Sequence, residues 1–206
     1  MNAILDFVHK FVPGSSERTL LLLHGTGGNE SDLIPLGQNL DPAAALLSPR
    51  GKVLENGRPR FFRRLAEGVF DEEDLIHRTH ELADFVIAAS AHYKFDPKRV
   101  IAVGYSNGAN IAVSLLLLRP ETLNAAILFR SMVPLVPKQL PDLARVQILI
   151  AAGKHDPIAS AANTQRLVAL LQQSGAKVSA RFAEAAHELT DEDIETARQW
   201  LEKENP

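Results

Sequence analysis

Apolar residues in this chain fall into short continuous runs, separated by longer segments in which they recur every three or four positions. The runs predict strands near residues 5–12, 19–24, 44–48, 99–105, 125–130, 146–152 and 177–184. Several of them, such as LLLLH, AAILF and QILIAA, have no polar alternation, as strands covered on both faces require. The helical period predicts helices near 31–40, 72–92, 107–118, 160–173 and 190–204. In the second of these, Leu75, Ile76, Leu82, Phe85, Val86 and Ala89 share one side, and the last opens on Thr190, Asp191, Glu192 and Asp193, a capping-type start. Strands alternating with helices predict an α/β fold with a mostly parallel central sheet of about seven strands and helices on both faces. Two irregular stretches, 49–71 and 131–145, are long for connections and are candidate pocket walls.

A chain of 206 residues, 46% hydrophobic and 23% charged, fits one globular domain spanning 1–206. Its net charge of −3, without a long Lys/Arg run, argues against a nucleic-acid or membrane partner and for a small molecule. With no cysteine, disulfides, thiolate metal sites and a cysteine nucleophile are excluded. The N-terminal MNAILDFVHKF carries Asp6 and Lys10 inside its apolar stretch and does not read as a signal peptide. No apolar run reaches the roughly 20 residues of a bilayer span, so a cytoplasmic protein without membrane insertion is expected.

The segment VIAVGYSNGANIAV interrupts a strand and a helix with Gly104, Tyr105, Ser106, Asn107 and Gly108. A GxSxG pattern alone is weak evidence, but here it lies at a strand-to-helix junction, the place of a nucleophile elbow. Such a turn strains the serine backbone, and side chains two residues to either side would collide with it. Ser106 then needs an imidazole as base, and the imidazole needs a carboxylate. Taken in the order serine, acid, histidine, the chain offers His187 uniquely, since of seven histidines it alone lies beyond QILIAAG and the loop after it. Asp156, just past that strand, is the expected acid, with Glu184 and Asp191 as competing carboxylates. The lean loop Gly25–Asn29 follows TLLLLH and supplies an expected oxyanion donor, the Thr26 N–H; the second is the Asn107 N–H. His24 is expected to shape this loop, and His24 and Gly25 to border the substrate.

His77 and His80, one helical turn apart beside Glu72, Glu73 and Asp74, could suggest a metal site. Their helical phase, opposite the Leu75/Leu82/Val86 stripe, favours a solvated face, so no metal is assigned. Arg60, Arg63 and Arg64, with Phe61 and Phe62, have two readings of equal weight: an entrance that binds an anionic or polar substrate group, or surface charges with two anchoring aromatics. Phe61, Phe62 and Arg63 are carried forward as substrate-binding candidates.

In order and spacing, HGTGGNESDL, GYSNGAN, AGKHDPI and AAHELT resemble the carboxylesterase/lysophospholipase group of α/β hydrolases, which includes the acyl-protein thioesterases. SPRGKVLENGRPRFFRR and EGVFDEEDL resemble more specifically its bacterial phospholipase/carboxylesterase branch. The resemblance covers nearly the whole chain. It implies an α/β-hydrolase fold without a large cap domain, a triad of Ser106, Asp156 and His187, no cofactor, and a homodimer as in many members. Thioesterases of the group usually carry Gln where this chain has Asn107. The expected function is cleavage of carboxylic esters of short to medium acyl chain through an acyl-enzyme. Thioesterase, lysophospholipase or dienelactone-hydrolase-like activity, and a non-catalytic ligand-binding protein on the same fold, are the alternatives.

Overall fold

The computed structural model describes residues 5–204; residues 1–4, the start of the N-terminal stretch weighed above as a leader, lie outside the described residues. In chain order the strands are β1 (His9–Val12), β2 (Thr19–Leu23), β3 (Ala45–Pro49), β4 (Val53–Glu55), β5 (Arg58–Arg60), β6 (Arg64–Ala66), β7 (Val69–Phe70), β8 (Val100–Tyr105), β9 (Ala125–Phe129), β10 (Gln147–Gly153) and β11 (Lys177–Ala183). The helices are α1 (Ile34–Leu40), α2 (Glu72–Tyr93), α3 (Asn107–Leu118), α4 (Ala161–Gln173) and α5 (Asp191–Glu204). Seven strands form one sheet in the order β1-β3-β2-β8-β9-β10-β11, parallel throughout except where β1 pairs antiparallel with β3.

The run of leucines in β2 shows why a strand without polar alternation belongs here. Leu21 and Leu23 pack with α2, α3 and α4 on one face, through Leu75, Leu82, Ile111, Leu115 and Leu167. Leu20 and Leu22 pack on the other with Leu40 of α1 and Trp200 and Leu201 of α5. Strand side chains alternate between faces, so only a sheet covered on both sides can bury five successive residues, as β2 does. This is the sheet that the alternation of strands and helices predicts, and its elements lie close to the expected ranges. The first strand is shorter than expected, and α1 begins at Ile34, with Pro35 in its first turn.

The stretch 49–71 differs from its reading as an irregular loop: it holds two small antiparallel hairpins, β4–β5 and β6–β7. The first turns at Asn56 and Gly57, both at positive φ (51° and 76°), the conformation that tight hairpin turns demand and that Asn-Gly supplies. The stretch 131–145 has neither helix nor strand. From β2 the chain moves outward to β3, and then returns to place β8 on the other side of β2. That reversal opens a crevice at the carboxyl ends of β2 and β8, where open α/β sheets hold their ligands.

Candidate active site

Ser106 ends β8 and starts α3 at φ 53°, ψ −114°, a region L-residues avoid. The turn is fixed by close backbone packing. A Cβ on Gly104 would lie 2.6 Å from Cα of Ala109, and one on Gly108 would lie 1.9 Å from the carbonyl oxygen of Leu23. Only glycine fits either position, and the second contact presses the elbow directly against the end of β2. The Ser106 N–H donates to the Phe129 carbonyl at 2.9 Å, tying the turn to β9 as well.

Two loops bring partners to this serine. His187, after β11, lies with Nε2 2.9 Å from Ser106 Oγ and with Nδ1 2.8 Å from Asp156 Oδ2. An ionised carboxylate only accepts, so Nδ1–H donates to Asp156, which leaves Nε2 to accept the serine hydroxyl proton. Asp156 follows β10, its side chain fully buried; its other oxygen, Oδ1, accepts the N–H groups of Ile158 (2.8 Å) and Ala159 (2.9 Å). Those bonds satisfy the buried charge and fix its direction. Glu184 is exposed and pairs with Lys154 and with His155 (3.0 Å), and Asp191 lies in the first turn of α5. Of the three carboxylates weighed for His187, the structure brings only Asp156 to it.

The His187 loop is held from behind. Tyr105 donates its hydroxyl to the His187 carbonyl at 2.9 Å, and burial pushes the Tyr105 phenol above its ordinary pKa, which keeps it protonated as a donor. Arg130, fully buried at positive φ (55°) after β9, donates to the Ala151 carbonyl at 3.1 Å, to the Glu188 carbonyl, and to Asp193 at 2.6 Å. Asp193 in turn accepts from the Thr190 N–H at 3.0 Å, while its own N–H donates to Thr190 Oγ1 at 3.2 Å, the reciprocal cap expected at the start of α5. No signal in the sequence marks Arg130 for this task; an arginine that ends an apolar strand reads there as a surface residue.

The Asn107 N–H is the first of α3 and has no carbonyl within the helix to bond. Its side chain serves the adjacent hairpin: Oδ1 accepts the Phe61 N–H at 2.7 Å. Thr26 lies across the crevice, and among the described residues its N–H has no acceptor. Its position is set by β5. The Gly27 N–H donates to the Pro59 carbonyl at 2.8 Å, and Arg60 Nη1 donates to Thr26 Oγ1 at 2.7 Å. Thr26 and Asn107, whose N–H groups are the expected oxyanion donors, thus border the same cavity as Ser106.

His24 is buried beneath this loop, as its expected shaping role requires. Nδ1–H donates to the Gly25 carbonyl at 2.7 Å, and Nε2 accepts the Gly51 N–H at 3.0 Å. Burial, partly opposed by the Gly25 hydrogen bond, holds its pKa below the ordinary value near 6.5. On acidification the unfolded chain therefore takes up this proton first. The stability contributed by neutral His24 is present above about pH 6.5 and is lost as pH falls from there through the lower folded-state value. We expect His24→Gln, which keeps an acceptor for Gly51, to lose less melting temperature than the wild type between about pH 7.5 and pH 5. Thermal unfolding across that range checks this, and parallel curves would acquit His24.

A cavity of about 390 Å³ opens over Ser106, between Thr26, His187, Met132 and Ile158 on the loops and the hairpins beyond. Larger clefts, one bordered by Phe11, Tyr93 and Phe95 and one between β11 and α5, do not border Ser106 or His187. Three expectations about the cavity wall change. Phe61 and Phe62 are fully buried in the core, where Phe61 packs on His24 at 4.7 Å between ring centroids and Phe62 on Phe70 at 5.1 Å. Arg63 turns outward to Asp71 (3.0 Å) and Asp74 (3.8 Å). Of this segment it is Arg60 and Arg64, with Arg58, that face the cavity. Residues 61–63 form the bend between the two hairpins, where both adjacent phenylalanines turn into the core and Arg63 turns out to solvent. Gly25 packs under the Tyr105 ring, where a Cβ would come within 2.9 Å, and neither it nor the buried His24 lines the cavity, so the expectation that these two border the substrate is corrected as well. His77 and His80 are both exposed on α2, and among the described residues no group of three or more His, Asp or Glu is placed to hold a metal ion.

Comparison with known proteins places the chain in a family. The family model for phospholipase/carboxylesterase matches residues 13–205. MhqD of Bacillus subtilis is 51% identical over 195 residues, which cover 95% of this chain and 98% of that one. The Bacillus cereus carboxylesterase structure superposes with a TM-score of 0.94 at 50% identity, over 96% of this chain and 94% of its own. The structure of YahD with malic acid gives a TM-score of 0.89 at 31% identity, over 94% and 97%. The chain therefore belongs to the phospholipase/carboxylesterase family and is a carboxylic ester hydrolase of α/β-hydrolase fold.

Proposed function

We propose that the protein cleaves carboxylic esters of short to medium acyl chain through an acyl-enzyme on Ser106. The observation that carries this reading is the unbroken hydrogen-bonded chain from Ser106 through His187 to Asp156, beside two unengaged amides. Ser106 Oγ attacks the ester carbonyl while its proton passes to His187 Nε2. The oxyanion accepts from the Thr26 and Asn107 N–H groups, and Asp156 stabilises the imidazolium. Collapse of the tetrahedral intermediate breaks the bond to the leaving oxygen, which takes the proton from Nε2. Water then attacks the acyl carbon, gives its proton to His187, and the carboxylic acid departs as Ser106 recovers its hydrogen.

A cavity of about 390 Å³ lies toward the small end of ligand sites, which favours a compact acyl group. The related YahD structure holds malic acid, itself a carboxylic acid, the class of molecule that ester hydrolysis releases. Hydrolysis of p-nitrophenyl esters from acetate to palmitate, together with stoichiometric labelling of Ser106 by a fluorophosphonate, tests the reading. Turnover highest at short or medium chains with labelling at Ser106 is the expected result. Resistance to the probe and absence of turnover at every chain length would leave a ligand-binding role instead.

A further inference from the structure

The wall of the cavity nearest Thr26 carries three arginines, Arg58, Arg60 and Arg64, in a chain whose net charge is −3. Their counter-charges are few. Glu55 is shared between Arg64 Nε (2.8 Å) and Arg60 Nη1 (3.3 Å). Glu67, on the turn of the second hairpin, borders the cavity but is exposed. Arg58 forms no ion pair among the described residues; its side chain lies over Gly27 and reaches the Thr26 carbonyl only at 3.5 Å.

Arg60 differs from a surface arginine. Its side chain is 4% exposed, with Nε donating to the Phe62 carbonyl at 3.2 Å and Nη1 to Thr26 Oγ1. Among the described residues Nη2 has no acceptor. Burial, followed by repulsion from Arg64, holds the Arg60 guanidinium below its ordinary pKa, so its carboxylate partner, Glu55, only partly offsets the cost of burying the charge. Nη2 is thus the Arg60 nitrogen left to donate to a ligand carboxylate, and Arg58, which forms no ion pair among the described residues, supplies a second charge-assisted donor beside it.

From this wall we infer that the enzyme takes esters whose acyl part ends in a free carboxylate, the half-esters of short dicarboxylic acids, with the carboxylate held by Arg58 and Arg60. The inference rests on the ester hydrolysis proposed above and adds the substrate class. Its direction follows from the proton path. His187 must protonate the leaving oxygen, so the alcohol lies toward His187 and Ile158, and the acyl chain runs the other way, past Thr26. Because Arg60 bonds the residue that carries an oxyanion amide, only a few bonds separate the scissile carbonyl from the guanidinium, which fits a short dicarboxylic acid.

The test compares monoethyl succinate with ethyl butanoate, which has the same acyl carbon count and no charge. For the wild type we expect kcat/KM to favour monoethyl succinate by about tenfold or more, a ratio that falls by about tenfold in Arg58→Gln and shrinks with added salt. Titration calorimetry of Ser106→Ala with the same two esters removes the dependence on turnover: monoethyl succinate should bind the more tightly by a similar factor, and lose that advantage when Arg58→Gln is added. Equal rates and equal affinities for the two esters, or a preference for ethyl butanoate, would overturn the carboxylate subsite while leaving ester hydrolysis in place. Binding preference without hydrolysis of either ester would instead uphold the subsite and refute the catalytic reading.

Discussion

Ser106→Ala should lower kcat by about six orders of magnitude on any ester the wild type accepts, since comparable serine hydrolases lose that much when the nucleophile is removed. Adding His187→Ala should cost almost nothing more, because base and nucleophile act as one unit and the second loss has nothing left to disable. Asp156→Asn should cost about four orders of magnitude: the amide can present its NH₂ to Nδ1 and so favour the wrong tautomer of His187. The residual rate, carried by the two amides and substrate binding, should stay well above that of water. Single-turnover and steady-state rates on one p-nitrophenyl ester measure all three variants. A large further loss in the double variant would mean that Ser106 and His187 do not act together. The strained backbone supplies a control: Ser106→Gly should be as inactive as the alanine variant yet more stable by about 1 kcal/mol, since glycine relieves the positive φ.

Removal of the Arg130 guanidinium should have the largest effect on stability. In Arg130→Met, the Asp193 carboxylate, 3% exposed as a side chain, stays buried with its cation gone, a situation that costs about 3–5 kcal/mol. For a chain of this length that corresponds to a fall in melting temperature of about 10 °C. Activity should fall as well, because Arg130 bonds the carbonyl of Glu188, the residue after His187. The double variant Arg130→Met/Asp193→Asn keeps an acceptor for Thr190 but removes the stranded charge, so much of the melting temperature should return while kcat stays low. Recovery of both quantities together would assign Arg130 to stability alone. Thermal unfolding and ester hydrolysis on the three proteins decide between these outcomes.

The sequence made some of these groups visible and hid others for identifiable reasons. Ser106, Asp156 and His187 stand at strand ends, in an order that admits one histidine, and the structure joins those same three side chains. The central sheet was equally legible, because strands such as β2 and β8 are apolar at nearly every position. The two hairpins were not, since strands of two or three residues are too short for a period to emerge, although Asn56-Gly57 did offer a turn signal. Phe61, Phe62 and Arg63 lie in the bend between the hairpins, where no period marks that both aromatics turn into the core while Arg63 faces solvent. Arg130 was missed for another reason: its partner Asp193 lies 63 positions away, and pairing at that range comes from the fold.

The hydrogen bond from Arg60 to Thr26 bears on how substrate range could evolve. One side chain both borders the cavity and holds the Thr26 hydroxyl beside the proposed oxyanion donor, so selection at this position trades scope against rate. Arg58 and Arg64 carry no comparable bond to the centre, and drift there leaves the chemistry intact. Lineages that switch substrate from this scaffold should therefore diverge first at positions 58 and 64, with 60 changing last, after some other contact has taken over Thr26.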